Sequence, residues 1–338
     1  MKAVGLTRYL PIADPGSLVD LDLPTPSPQG RDLLVRIEAV SVNPIDTKVR
    51  APKPEVEAQP KVLGFDAAGV VEAVGADVAL FKPGDEVFYA GDITRQGSNA
   101  EFQLVDERIV GRKPATLDFA RAAALPLTSV TAWELLFHRM RLDADGADAG
   151  RSLLIIGGAG GVGSIAIQLA RRARLTTIAT ASRPETTAWV RRLGATHVID
   201  HRQPLAPQLD ALGFKTVDAI VNFADTDRYW KEIGELVAPQ GHVGLIVEPK
   251  GPLAIGGPFK TKCVGIHWET MFGRSRFGTH DLIEQHRVLD RVAALVDAGE
   301  IVTTHTETIG RIDAANLRAA HSRIESGTTI GKLALAGW

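Results

Sequence analysis

A doubly wound, parallel α/β sheet joined to a second, β-rich and barrel-like domain is the fold class the sequence predicts. Three observations carry it. Four aliphatic residues at 153–156 read as a strand buried on both faces; seven residues follow, of which five are Gly, and then Val162, Ile165, Ala166 and Leu169 recur at helical spacing. Upstream of about residue 126 the chain shows short strand-like runs between Pro- and Gly-rich turns rather than alternating strands and helices. Downstream of the glycine turn, strands and helices alternate, the pattern of a parallel sheet.

Taken in order, strands are expected at 2–6, 33–42, 67–74, 86–89 and 101–105, separated by turns such as Pro24-Thr-Pro-Ser-Pro and Lys82-Pro-Gly-Asp. Three prolines and many charges make 49–60 an expected exposed loop. Helices follow at 120–125 and 129–136, with a break at Pro126. Beyond the glycine turn, strands are expected at 176–181, 196–199, 218–223, 242–247 and 263–268, the last of them outermost, with helices at 184–193 and 229–237. The tail adds a long amphipathic helix at 281–298, another around 314–326 and a closing strand at 331–336.

The glycine turn carries the chemistry. Gly158, Gly160 and Gly163 fit G-x-G-x-x-G, with Gly161 and Val162 between the second and third. In that pattern the first glycine allows the tight turn, the second lets the backbone approach a pyrophosphate, and the third lets helix and strand pack closely. The phosphates then rest on free N–H groups at the positive end of a helix. A dinucleotide-binding domain is therefore expected over 127–274, with 1–126 and 275–338 outside it. About 20 residues past the first glycine, an acidic side chain selects ribose hydroxyls, whereas hydroxyl and guanidinium donors select a 2′-phosphate. The chain has Ser182 and Arg183 there, with Glu185 further along in the next helix. That favours NADP(H), unless Arg183 is merely a solvated charge. Asn222–Ala224 and Leu245–Val247 close two strands at the edge where open sheets present ligand contacts, so Asn222, Phe223, Leu245 and Val247 are expected to hold the carboxamide end.

Composition bounds the remaining classes. With 45% hydrophobic and 23% charged residues in a 338-residue chain, a soluble two-domain protein is expected. A net charge of −2 gives no general reason to expect nucleic acid or a membrane surface as partner. The single cysteine, Cys263, permits neither an intrachain disulfide nor a cysteine-built metal site. No signal-like or membrane-spanning stretch stands out, and the expectation is a cytoplasmic protein.

Several local matches, in order through nearly the whole chain, resemble the medium-chain dehydrogenase/reductase superfamily. They are Ser41-Val-Asn-Pro-Ile-Asp, Gly64-Phe-Asp-Ala-Ala-Gly-Val-Val, Lys82-Pro-Gly-Asp-Glu-Val, Ala123-Ala-Leu-Pro-Leu-Thr-Ser-Val-Thr-Ala-Trp, Gly157-Gly-Ala-Gly-Gly-Val-Gly, Gly194-Ala-Thr-His-Val-Ile-Asp and Gly331-Lys. The likeness is greatest to the zinc-independent, quinone-oxidoreductase-like branch, whose members are often called zinc-type alcohol dehydrogenase-like. It implies a Rossmann domain and a GroES-like catalytic domain. It also implies that Asn43 stands near the nicotinamide, at the old metal-ligand position, and that Asp46 and Thr131 are further catalytic candidates. Each has a plainer alternative: Asn43 capping the turn before Pro44, Asp46 as a structural acceptor, Thr131 bonding back to its own helix. His201 falls where relatives place a Tyr near the 2′-phosphate, and Gly331-Lys332 resembles the C-terminal cofactor contact.

Zinc members carry Cys where this chain has Asn43, Gly-His-Glu where it has Gly64-Phe65-Asp66, and a proton-relaying Thr where it has Ile45. Asn43 and Phe65 cannot supply the thiolate and imidazole that zinc requires, so no metal is expected. Without a Lewis acid, an alkoxide is hard to stabilise, whereas an enone or quinone spreads incoming charge over an enolate or phenolate. The implied activity is NADPH-dependent reduction of a quinone or α,β-unsaturated carbonyl, a small-molecule electrophile. A zinc-type alcohol or polyol dehydrogenase and a non-catalytic NADP(H)-binding redox sensor remain as alternatives. Tyr89 and His267 are the available proton donors, and Trp268, Met271 and Phe272 either line a substrate pocket or fill core. The segment 263–268 has no Lys, Arg, acidic residue or Pro to guard an edge, so a homodimer pairing that strand is expected.

Overall fold

The computed structural model describes residues 1–338 as two compact units, Met1–Val130 with Phe272–Trp338, and Thr131–Met271. No helix is long and apolar enough to cross a membrane.

The second unit holds a six-stranded parallel sheet. Its order is His197–Ile199, Thr176–Thr180, Ser152–Ile156, Val217–Asn222, Val237–Leu245, Gly265–Trp268. Numbered along the chain this is 3-2-1-4-5-6, the doubly wound order, with its switch point between Ser152–Ile156 and Val217–Asn222. All five residues of Ser152–Ile156 are buried, as a strand covered on both faces requires. Leu154, Ile156, Ile178, Ile220, Val243 and Leu245 join Tyr229, Trp230 and Phe259 in one apolar core, where the Trp230 and Phe259 rings stack at 4.3 Å. Gly265–Trp268 pairs only with Val237–Leu245 and is the outer strand.

In the first unit a seven-stranded sheet is centred on Asp32–Ser41, which pairs antiparallel with Ala67–Val74, Phe102–Asp106 and the C-terminal strand Lys332–Ala336. The register Ala334↔Ser41 brings Lys332 beside the chain leaving Ser41. A second sheet sets Lys2–Tyr9 between Val19–Asp22 and Lys53–Val62.

Lys53–Val62 corrects the expected loop at 49–60. It is an edge strand, so Pro54 and Pro60 cost no ladder bond on their outer side, and most of its side chains are exposed. Pro126 opens the helix Pro126–Trp133 rather than breaking one, because its missing N–H falls in the first turn. That helix runs on into a wider turn over Glu134–Arg139, closed by a bond from the Met140 N–H to the Leu135 carbonyl. The short helix Pro44–Arg50 is a further element the hydrophobic pattern did not reveal.

Candidate functional site

The glycine turn meets the physical requirements of its motif. Gly157 adopts φ 85°, a conformation that favours glycine. A Cβ at Gly163 would lie 2.3 Å from the Gly157 carbonyl oxygen and 2.8 Å from the Gly158 Cα, so only glycine lets this helix approach the strand. At Gly160 the nearest atom to such a Cβ is the Gly157 oxygen at 3.6 Å, which leaves the backbone open to a ligand. The helix Gly161–Arg172 starts at Gly160 with no side-chain cap, so the first-turn N–H groups of Gly161, Val162 and Gly163 have no intrahelical acceptor and are available to an anion. The turn is braced from both sides: Thr180 Oγ1 accepts the Gly157 N–H at 3.0 Å, and Trp189 Nε1 donates to Ser164 Oγ at 2.8 Å. These residues fit a dinucleotide pyrophosphate.

At the switch point, Asn222 is fully buried. Its Oδ1 accepts the Ala224 N–H at 3.0 Å, while its Nδ2 has no partner and remains a donor. The Phe223 N–H bonds to the Ile156 carbonyl at 3.0 Å. The carbonyls expected to receive the carboxamide already have partners: the Glu269 N–H bonds to Leu245 at 2.9 Å and Thr226 Oγ1 to Val247 at 2.6 Å. At the adenosine end, Ser182 is half-buried, and Arg183 precedes the helix Pro184–Leu193. Glu185, which sequence spacing set out of reach, turns back to within 3.0 Å of Arg183 Nε. The His201 imidazole is held below its ordinary pKa, first by burial and then by the guanidiniums of Arg228, Arg202 and Arg183, against the pull of Asp200. Thr131 is buried in the helix Pro126–Trp133.

The first unit holds a buried polar cluster around Asn43. Its Nδ2 donates to Asp66 Oδ2 at 2.8 Å and to the Phe65 carbonyl at 3.3 Å, and its Oδ1 accepts from Lys332. Lys332 Nζ also donates to the Val42 carbonyl at 2.9 Å and pairs with Asp66 at 2.8 Å. Asp66 Oδ1 accepts the Leu127 N–H at 2.7 Å, and Asp46 Oδ2 accepts the Asn43 N–H at 2.7 Å. None of Asn43, Asp46, Asp66 and Lys332 is more than 2% exposed. Burial pushes the Asp46 carboxyl up to about 7, and it also raises Asp66, against the opposing pull of Lys332.

Lys332, the implied C-terminal cofactor contact, directs its ammonium to Val42, Asn43 and Asp66 within the cluster. The Asp66–Lys332 pair is the feature that sequence reasoning missed: the Gly64-Phe65-Asp66 and Gly331-Lys332 matches each held one member, and nothing in the spacing joined them. Neither proton-donor candidate belongs to the cluster. Tyr89 is wholly buried with an unpartnered hydroxyl, and His267 faces His242 across adjacent strands at 3.1 Å. Phe272 packs edge-on against Phe65 at 5.2 Å, Met271 is buried, and Trp268 is 48% exposed. The donor set does not suit zinc: an amide, a phenyl ring and an ion-paired carboxylate occupy the matching positions, and no three His, Cys, Asp or Glu side chains cluster to hold a metal.

Fold and glycine turn together define a nucleotide-dependent oxidoreductase architecture. Residues 29–115 match the alcohol dehydrogenase GroES-like domain, and residues 193–335 match the zinc-binding dehydrogenase family. The chain is 40% identical, over 99% of both chains, to the zinc-type alcohol dehydrogenase-like protein of Staphylococcus aureus strain MSSA476. It is 34% identical to the quinone oxidoreductase of Lama guanicoe, over 69% of each chain. A solved Rhizobium etli CFN 42 structure, provisionally described as a zinc-dependent alcohol dehydrogenase, superposes with a TM-score of 0.95 at 55% identity, covering 100% of this chain and 98% of that one. The chain belongs to the medium-chain dehydrogenase/reductase superfamily, in its quinone-oxidoreductase-like branch, a family of NAD(P)-dependent oxidoreductases.

Proposed function

We propose that this oxidoreductase uses NADPH to reduce quinones or α,β-unsaturated carbonyls without zinc. The observation that carries the reading is the Asn43–Asp66–Lys332 cluster, which offers no metal donor set and holds an internal cation instead. An oxidoreductase so built suits acceptors that delocalise incoming charge themselves. When bound, the reduced nicotinamide supplies the hydride. The chain's own part is to hold, orient and exclude water. Gly158, Gly160, Gly161, Val162 and Gly163 hold the pyrophosphate, and Ser182, Arg183 and His201 the 2′-phosphate. Asn222, Phe223, Leu245 and Val247 hold the nicotinamide end, with Asn222 Nδ2 as the free donor. Asn43, Asp46 and Thr131 belong to the substrate side. Lys332 serves through Asn43, which it fixes, and Asp46 holds the Asn43 backbone N–H.

The same reading includes a homodimer through the outer strand Gly265–Trp268, whose half-buried Ile266 and exposed Trp268 carry no charge to deter pairing.

Tag-free protein, stripped with chelator, is assayed for NADPH oxidation against quinones, enones, aldehydes and ketones, with zinc measured on the same sample. Turnover of the first two classes at well under one zinc per chain is expected. Stoichiometric zinc with alcohol or ketone turnover would revive the dehydrogenase reading, and tight NADPH binding with no turnover on any acceptor would leave a redox sensor.

A further inference from the structure

Three guanidiniums converge where the second and third strands of the parallel sheet end. Arg183 follows Thr176–Thr180, and Arg202 follows His197–Ile199. Arg228 reaches in from the first turn of the helix Thr226–Leu236, with its Nη2 2.8 Å from the His201 carbonyl oxygen. The three differ in what already satisfies them. Arg202 forks onto Asp200 at 2.7 and 3.1 Å, and Arg183 Nε lies 3.0 Å from Glu185. Arg228 has no carboxylate within ion-pair distance: its guanidinium bonds only to that carbonyl and lies 5.0 Å over the Tyr229 ring. Its backbone N–H is capped by Asp225 Oδ1 at 3.0 Å, which fixes where the side chain leaves the helix.

We propose that Arg228 is the specificity-determining residue for the 2′-phosphate of NADPH, contributing more to the discrimination than Arg183. The inference rests on the NADPH reading above and deepens it. A dianionic phosphate between the second and third strand ends meets one guanidinium with free donors, Arg228, and one already shared with a carboxylate, Arg183. Glu185 subtracts from the Arg183 contribution twice, by occupying Nε and by repelling the phosphate. Arg228 also has the geometry for a forked contact, which a lysine at the same place lacks. Sequence spacing pointed to Arg183 because it follows the second strand. Arg228 enters from another βα unit, and only the fold brings it near His201.

The test uses the whole protein with two small probes, 2′,5′-ADP and 5′-AMP, which share the adenosine and differ in the 2′-phosphate. Their dissociation constants are measured by calorimetry at fixed ionic strength for the parent, Arg228→Gln, Arg228→Lys and Arg183→Gln. The parent is expected to prefer 2′,5′-ADP. Arg228→Gln should weaken 2′,5′-ADP by about tenfold or more, the scale of one charge-assisted hydrogen bond, and leave 5′-AMP unchanged. Arg183→Gln should weaken it less, and Arg228→Lys should fall between parent and Arg228→Gln. A parent that binds both probes equally would overturn the NADPH reading itself. A parent that prefers 2′,5′-ADP, with that preference kept in Arg228→Gln or lost more fully in Arg183→Gln, would overturn the role of Arg228 alone.

Discussion

Acid should destabilise the first unit through a single buried histidine. His321 lies on the helix Ala314–Glu325, wholly buried, with neither ring nitrogen hydrogen-bonded. Burial, and then the neighbouring Arg50 guanidinium, drive its pKa down from 6.5 to about 3. Because the folded value lies below the unfolded one, the unfolded chain takes up the proton first. The group's titration therefore costs nothing above about pH 6.5, and stability falls as the pH drops through the window from 6.5 towards 3. At pH 5 the unfolded imidazole is about 1.5 pH units below its pKa while the folded one stays neutral, which removes about 2 kcal/mol. His321→Leu nearly conserves volume and deletes both unpaired nitrogens. The variant should be the more stable at pH 8, by about 1–3 kcal/mol for the unpaired buried polar atoms, and by about 2 kcal/mol more at pH 5. Urea unfolding of both proteins, followed by circular dichroism at the two pH values, reads this difference, and every other titration cancels between them. Parallel loss of stability in parent and variant would refute the reasoning.

Three further outcomes follow from packing and pairing. Gly163→Ala places a methyl against the Gly157 carbonyl, so NADPH affinity, read by fluorescence titration, should fall at least about tenfold, with about 1–3 kcal/mol of lost stability; unchanged affinity would move the nucleotide away from this turn. Lys332→Met leaves Asp66 buried without its cation and should cost about 3–5 kcal/mol in urea unfolding, much of it recovered by adding Asp66→Asn; a double variant no better than the single would show that the pair is not coupled. Ile266→Lys should convert a sedimenting dimer into single chains, and a parent already sedimenting as a single chain would mean that the Gly265–Trp268 edge is covered otherwise.

What could be read in the sequence was local in origin. The strand at 153–156, the glycines after it and the helix beyond form one βα unit, so their spacing alone specifies the turn that the structure displays. The strand Lys53–Val62 was hidden because its prolines argue against a ladder, yet an edge with one paired side accepts them. The helix Pro44–Arg50 is too short for a period to show. Long-range partners were the least legible. Nothing near Asn43 announces Lys332, and nothing near Arg183 announces Arg228. Each arrives through the register or order of a sheet, a property of the whole fold.

The residue type at position 43 now has a reason that precedes catalysis. Asp66 and Lys332 are both withdrawn from water, and a buried ion pair is tolerable only when its remaining donors and acceptors are satisfied. Asn43 does this from both sides, since its amide nitrogen donates to the carboxylate and its amide oxygen accepts from the ammonium. A cysteine or alanine there could not bridge the two, and an aspartate would add a second buried anion. Its backbone N–H is held by Asp46, which ties the bridge to the first turn of the helix Pro44–Arg50. With its side-chain amide held by three hydrogen bonds and its backbone N–H by a fourth, Asn43 loses little freedom when a substrate arrives, so the rigidity that makes it a structural element is also what would let it define a reacting position.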